Sequence, residues 1–235
     1  MTGRRSAAAV VAACAVMVLA GLTTLVTAAH GAPLMVDREL HHTALEHRSG
    51  LVSAAARALT STGTGLFPYA VAAAAGWLAC RPGRPAPRRL PVVLAAVAAL
   101  GLGQVVRIGM RTAVDRPRPP APDWVTEAHQ AAFPSGHATT SALAAGLLAW
   151  ALLRAAPRRA GRAAAACCGL WAVGVAGTRV YLGVHWPTDV AGGWLLATCW
   201  LALTLPVLAR VADDPGSSSL LPSSWRSRRR KARTG

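Results

Sequence analysis

The chain of 235 residues is 53% hydrophobic, with a mean hydropathy of +0.37, which is too apolar for an ordinary soluble domain and implies an integral membrane protein. A formal net charge of +16 would suit a nucleic-acid binder. The cations fall in short loops between apolar segments, however, so membrane topology is the better account and no nucleic-acid partner is expected.

A helix that crosses the hydrocarbon needs roughly 20 mostly apolar residues, and six stretches qualify: 6–29, 63–80, 90–113, 136–153, 163–182 and 189–209. The first follows the basic stretch MTGRR and ends near a cleavage-like Val26-Thr27-Ala28, but its apolar run of about 24 residues exceeds the usual 7 to 15 of a signal peptide. The second is the least regular, because residues 51–80 are interrupted by Arg57, three threonines and Pro68. The first half of that run reads as the continuation of an amphipathic helix that begins near Val36 and lies at the membrane interface. The expected fold is all-α: a polytopic membrane helical bundle with six transmembrane helices and an interfacial amphipathic helix. It forms one membrane-embedded domain over 1–211, with its core over 50–210, and a disordered basic tail over 212–235.

The positions of the charges orient this bundle. Arg4 and Arg5, the group from Arg81 to Arg89, the group from Arg154 to Arg162, Arg210 and the tail run RSRRRKAR all fall on one side. By the positive-inside rule that side is the cytoplasm and holds both termini. The tail run is read as a topology determinant, without a specific ligand. The opposite loops carry most of the acids and nearly all the histidines, so the polar chemistry is expected on the extracytoplasmic face. Cys14, Cys80, Cys167, Cys168 and Cys199 sit in or beside apolar spans without metal-type spacing and read as small hydrophobes, with no disulfides.

Three short stretches stand at outward span ends. RTAVDRPRP carries Arg111 and Arg118, PSGH covers Pro134 to His137, and TRVYLGVHWPTD runs from Thr178 to Asp189. Hydrolysis of a phosphate ester requires charge neutralisation on the phosphoryl oxygens, a nucleophile and a proton for the leaving oxygen. Arg111, Arg118 and Arg179 are permanently charged forks suited to phosphoryl oxygens. Ser135 is placed as an N-cap, and the free amides of Gly136 and His137 would face an anion at the helix start. His185 and Asp189 are four residues apart, with Pro187 suiting a first helical turn, so the carboxylate can reach the imidazole and fix its tautomer. On this reading His185 attacks phosphorus, Asp189 orients it, and His137 protonates the leaving group and then activates water.

Taken together, these stretches resemble the three signature motifs of the type 2 phosphatidic acid phosphatase superfamily: Lys-x6-Arg-Pro, Pro-Ser-Gly-His and Ser-Arg-x5-His-x3-Asp. Here they read Arg111-x6-Arg118-Pro119, Pro134-Ser135-Gly136-His137 and Thr178-Arg179-x5-His185-x3-Asp189. Arginine replaces the family lysine and threonine the family serine. The alternative pair Arg116-Pro117 has Gly109 at the upstream position, so the register through Arg118 is the one that supplies a cation. The resemblance covers about 50–210 and implies a membrane phosphatase with the same residue roles and no metal or other cofactor. It also implies a lipid phosphate substrate, with a polyprenyl diphosphate ahead of phosphatidic acid or phosphatidylglycerol phosphate.

Blander readings apply elsewhere. Arg107, one turn before Arg111, reads as an interface anchor. His42 with Glu46, and the set Asp115, Asp123, Glu127 and His129, are weak metal candidates and read instead as solvated polar faces. Gly174, Gly177, Gly192 and Gly193 read as close-packing sites between helices. Two other functions stay open: a phosphotransferase in which an alcohol replaces water, and a phosphate-lipid transporter. A transporter would place its ionisable groups near the bilayer midplane, often in repeated halves, whereas these cluster at one end and no repeat is visible. The oligomeric state is not legible in the sequence.

Overall fold

A computed structural model of the chain describes residues 2–80 and 82–214. Among them are eight α-helices and one 3-10 turn, and no strand: α1 (Thr2–Ala28), α2 (Met35–Glu46), α3 (Gly50–Ser61), α4 (Leu66–Leu78), α5 (Ala86–Val114), the turn Ala121–Asp123, α6 (Gly136–Ala155), α7 (Arg158–Tyr181) and α8 (Pro187–Asp213). Five of these, α1, α5, α6, α7 and α8, are long and apolar enough to cross a membrane. The expected basic tail lies outside the described residues from 215 onward, while residues 212 and 213 still belong to α8.

The remaining expected span differs from its sequence reading. Over 63–80 only the 13 residues of α4 are helical. At 1.5 Å per residue that is about 20 Å, against a hydrocarbon core of roughly 30 Å. The amphipathic helix expected from Val36 is also two helices, because the chain breaks at residues 47–49. Ser49 Oγ accepts from Val52 N and caps α3. The break is pinned to the end of α7: Arg48 Nε donates to the Tyr181 carbonyl at 3.0 Å, and Ser49 N donates to the Tyr181 hydroxyl at 3.0 Å.

The core lies between α4, α5, α6 and α8, and alanine dominates it: Ala72 and Ala75 of α4, Ala96 and Leu100 of α5, Leu143, Ala144 and Leu147 of α6, and Ala197 of α8. Without a hydrophobic drive between helices in lipid, association depends on close packing, which small residues allow. Large apolar side chains point outward instead, among them Met17, Leu102, Val105, Leu170, Leu203 and Val207. α6 is the most enclosed of the five long helices. Because α5, α6, α7 and α8 alternate in direction, the C-termini of α5 and α7 and the N-termini of α6 and α8 meet at one end of the bundle.

Backbones approach closely where α4 meets α5. A Cβ on Gly76 would lie 2.6 Å from Val93 Cα, a backbone atom that cannot step aside. Gly101 has its nearest such neighbour, Tyr69, at 4.0 Å. Gly76→Ala is therefore expected to lower the Tm of the detergent-solubilised protein by several degrees, on the order of 1–3 kcal/mol of overpacking. Gly101→Ala, in a helix interior with room for a methyl, should leave the Tm unchanged or raise it slightly; equal losses in both variants would contradict this packing.

Candidate active site

The end where the four helices meet is held by a buried ionic cluster. Arg116, from the loop after α5, is fully buried and lies between two fully buried carboxylates. Its Nη2 donates to Asp37 Oδ2 of α2 at 2.7 Å, and its Nη1 donates to Asp189 Oδ1 of α8 at 2.6 Å and to Thr188 Oγ1 at 2.7 Å. Further bonds run to the carbonyls of Gly31 and Ala32. Asp37 also accepts from the backbone N and the hydroxyl of Thr188. Asp189 is thus fixed before it meets any histidine.

The other oxygen of Asp189 serves the first turn of α8. Oδ2 accepts from Trp186 N at 2.9 Å and lies 3.3 Å from His185 Nδ1. On the far side of the ring, His185 Nε2 is 3.0 Å from Arg118 Nη1. An arginine offers only donors, so Nε2 carries the lone pair and Nδ1 the proton, donated to Asp189. The imidazole stands in the turn between α7 and α8. Burial first, and then the nearby Arg118 and Arg179 guanidiniums, hold its pKa well below the usual 6.5.

Arg118 is itself tightly placed. Its Nε donates to the Gln130 carbonyl at 2.8 Å, Nη2 to the His129 carbonyl at 2.9 Å, and Nη1 to the Val184 carbonyl at 2.6 Å. It therefore stitches residues 129–130 to 184–185 and has few N–H groups to spare. Burial also lowers its pKa, with the Asp189 carboxylate opposing that shift.

Ser135 has the backbone of an N-cap, but its hydroxyl caps nothing. Oγ is buried and has no hydrogen-bond partner, while Ser135 N donates to the Asp189 carbonyl at 3.0 Å and so joins the starts of α6 and α8. That junction needs Gly193, since a Cβ there would lie 2.9 Å from the Ser135 carbonyl oxygen. Arg179 is likewise incompletely used: Nη1 donates to Thr60 Oγ1 at 3.0 Å, while Nε is buried and unpartnered. Thr178 bonds back to the Val175 carbonyl within its own helix. His137 Nε2 is 3.4 Å from Thr64 Oγ1.

These groups surround one cavity of about 290 Å³, lined by Thr64, Arg107, Arg111, Arg118, Glu127, His129, Gln130, Gly136, His137, Arg179 and His185. Of the residues expected from sequence, the structure brings Arg111, Arg118, Gly136, His137, Arg179 and His185 to this cavity; Ser135 and Asp189 stand directly behind it. Arg111 donates to Gln130 Oε1. Arg107, read from sequence as an interface anchor, is also at the cavity wall, because its spacing of four from Arg111 puts both on one face of α5. Asp37 escaped the sequence reading and Arg116 entered it only as the rejected register, since their contact spans 79 residues.

The weaker metal candidates do not gather. Asp123 pairs with His41 at 3.0 Å, His42 and Glu46 are exposed and 3.4 Å apart, and no group of three such residues converges among the described residues. All five cysteines are free thiols. A second, apolar groove of about 340 Å³ between α6, α7 and α8 contains no titratable group and is remote from this chemistry.

Several known proteins are similar to this chain. The family model described as the PAP2 superfamily matches residues 91–212. Decaprenylphosphoryl-5-phosphoribose phosphatase of Mycolicibacterium smegmatis is 36% identical over 153 residues, covering 64% of this chain and 75% of that protein. Phosphatidylglycerophosphatase B of Escherichia coli is 36% identical over 83 residues, covering 34% of this chain but only 30% of that protein. Among solved structures, the transmembrane PAP2 type phosphatidylglycerolphosphate phosphatase from Bacillus subtilis superposes with a TM-score of 0.69 at 21% identity, over 83% of this chain and 94% of that one. Aquifex aeolicus LpxE gives 0.57 at 21% identity, over 74% and 96%. At that identity the two structures speak to the fold alone.

The cluster and the depressed imidazole each carry a test. Arg116→Met strands two buried carboxylates and should cost about 3–5 kcal/mol, a fall in Tm of roughly 10 °C; an unchanged Tm would contradict the cluster. In a histidine NMR titration, an ordinary imidazole is half protonated at about pH 6.5. His185, with its folded pKa depressed, should stay neutral there and charge only well below it, so the part of the stability due to its neutral burial is present above pH 6.5 and lost as the pH falls. A midpoint at or above 6.5 would contradict the geometry.

Proposed function

The chain belongs to the PAP2 superfamily, and on that premise we propose that it is an integral membrane phosphatase that hydrolyses a lipid phosphate or diphosphate through a phosphohistidine at His185, without a metal. The observation that carries this reading is the setting of His185 between Asp189 at Nδ1 and Arg118 at Nε2. Asp189 accepts the Nδ1–H hydrogen bond and Arg118 can only donate to Nε2, so Nε2, at the cavity, is the nitrogen that attacks once a phosphoryl group displaces the Arg118 contact.

The reaction follows from the groups in place. His185 Nε2 forms a bond to phosphorus while the bond from phosphorus to the leaving oxygen breaks, and His137 gives that oxygen its proton. Water, deprotonated by His137, then attacks phosphorus, and the N–P electron pair returns to His185. Asp189 stabilises the imidazolium character of the phosphorylated ring. Arg111, Arg118, Arg179 and the amides of Gly136 and His137 neutralise the phosphoryl oxygens. The buried, unpartnered Ser135 Oγ and Arg179 Nε support this assignment, because polar atoms left unsatisfied when buried are costly unless a ligand completes them.

A lipid substrate fits a site at the ends of membrane-length helices, where headgroups lie. The relatives named above act on decaprenylphosphoryl-phosphoribose and on phosphatidylglycerophosphate, both lipid-linked phosphates. A polyprenyl diphosphate ranks first here, with phosphatidic acid and phosphatidylglycerol phosphate behind it. The distribution of arginines favours a multi-pass protein of the cell membrane with both termini in the cytoplasm and the site facing outward. In that arrangement α4 serves as a short sixth span, α2 and α3 lie at the interface, and the whole forms a single membrane-embedded domain with the tail beyond it.

Purified protein in detergent should release phosphate from at least one of farnesyl diphosphate, phosphatidic acid and phosphatidylglycerol phosphate. His185→Ala should reduce that release about 1000-fold or more while the protein remains folded, and EDTA should leave the wild-type rate unchanged. Retained activity in the variant would exclude the nucleophile, and a loss restored only by divalent ions would exclude the metal-free reading.

A further inference from the structure

The cavity is charged beyond the needs of one phosphoryl group. Four guanidiniums, Arg107, Arg111, Arg118 and Arg179, face a single carboxylate, Glu127, a formal excess of three positive charges. None of the four is ion-paired with a carboxylate among the described residues; Arg116, by contrast, is taken up by two. Like charges gathered without counterions destabilise a fold unless an anion completes them.

Arg107 is the least explained of the four. Its Nε donates to Gln104 Oε1 at 3.1 Å, and its terminal nitrogens have no hydrogen-bond partner among the described residues, whereas Arg118 spends its N–H groups on three carbonyls and His185. A Cβ on Gly136 would stand 3.3 Å from Arg107 Nη1, so the absence of a side chain there lets this guanidinium lie against the first turn of α6. Arg111 and Arg179, with the amides of Gly136 and His137, already face a reacting phosphoryl group without it.

We infer that Arg107 is the seat of a second phosphate, linked to the reacting one, so that the site is matched to a diphosphate headgroup over a monophosphate. The inference rests on the phosphatase reading above. With a diphosphate, His185 Nε2 bonds the terminal phosphorus, the bond from that phosphorus to the bridging oxygen breaks, and the electron pair stays on the bridging oxygen of the departing lipid monophosphate. Arg107 holds that departing phosphate and neutralises the charge it acquires. A trianionic diphosphate also matches the threefold positive excess.

The test uses the full chain in detergent and compares kcat/KM for farnesyl diphosphate and farnesyl monophosphate. Arg107→Gln should lower the ratio of diphosphate to monophosphate at least about tenfold, the worth of a charge-assisted hydrogen bond, with Arg107→Lys recovering part of it. An unchanged ratio overturns the inference. Should Arg107→Gln not fold, the wild-type enzyme still decides: inorganic pyrophosphate should inhibit at about one tenth of the concentration of orthophosphate or less, and equal potency overturns the second seat. Phosphate release by the wild type from neither farnesyl substrate nor phosphatidic acid nor phosphatidylglycerol phosphate would instead defeat the phosphatase reading, and this inference with it; release from the glycerolipids but not from farnesyl diphosphate, or from both farnesyl substrates with an unchanged ratio, defeats the inference alone.

Discussion

One guanidinium, withdrawn from solvent between two carboxylates, fixes the end of the bundle where the chemistry lies. Arg116 joins Asp37 of α2 to Asp189 of α8, and through the Gly31 and Ala32 carbonyls it also reaches the chain leaving α1. A buried pair of this kind contributes little net stability compared with a well-packed apolar core, yet removing one partner is severe. Its worth here is positional: Asp189, held on one oxygen by Arg116, has the other free for His185 and the start of α8. Asp37 completes the same cluster through Thr188, so a helix outside the signature motifs helps to set the geometry of the imidazole.

The bundle and the site place opposite demands on the chain. Helices packed through alanine and glycine come close enough for the starts of α6 and α8 to share a hydrogen bond from Ser135 N to the Asp189 carbonyl. That closeness brings arginines from α5, α7 and the intervening loop around one small cavity, where burial and mutual repulsion oppose them. The unpartnered Ser135 Oγ and Arg179 Nε belong to the same pattern. A cavity with more donors than acceptors, facing a neutral histidine whose lone pair points inward, is preorganised for an anion with an electrophilic centre.

What could be read from the sequence was local. The apolar runs gave the five long helices to within a few residues, because length and hydropathy alone decide them. The choice of Arg118 over Arg116 rests on a cation seven residues upstream; in the structure Arg118 lies against His185 and Arg116 behind it, on Asp189. The four-residue spacing of His185 and Asp189 likewise encodes a one-turn contact. Hidden from the sequence were matters that depend on distant partners. The break between α2 and α3 is stabilised by Tyr181, the short α4 ends inside an apolar run, and Asp37 meets Arg116 only in three dimensions. Arg107 carries a legible signal of its place at the cavity, its i, i+4 relation to Arg111.

The proposed reaction turns on His185 becoming covalently phosphorylated. The most direct measurement is rapid acid-free quenching of the enzyme with a substrate labelled at its terminal phosphate, followed by peptide mapping. The expected result is an acid-labile, base-stable phosphate on His185 that is absent from His185→Ala. Label on another residue, or turnover with no labelled enzyme at any time point, would contradict it.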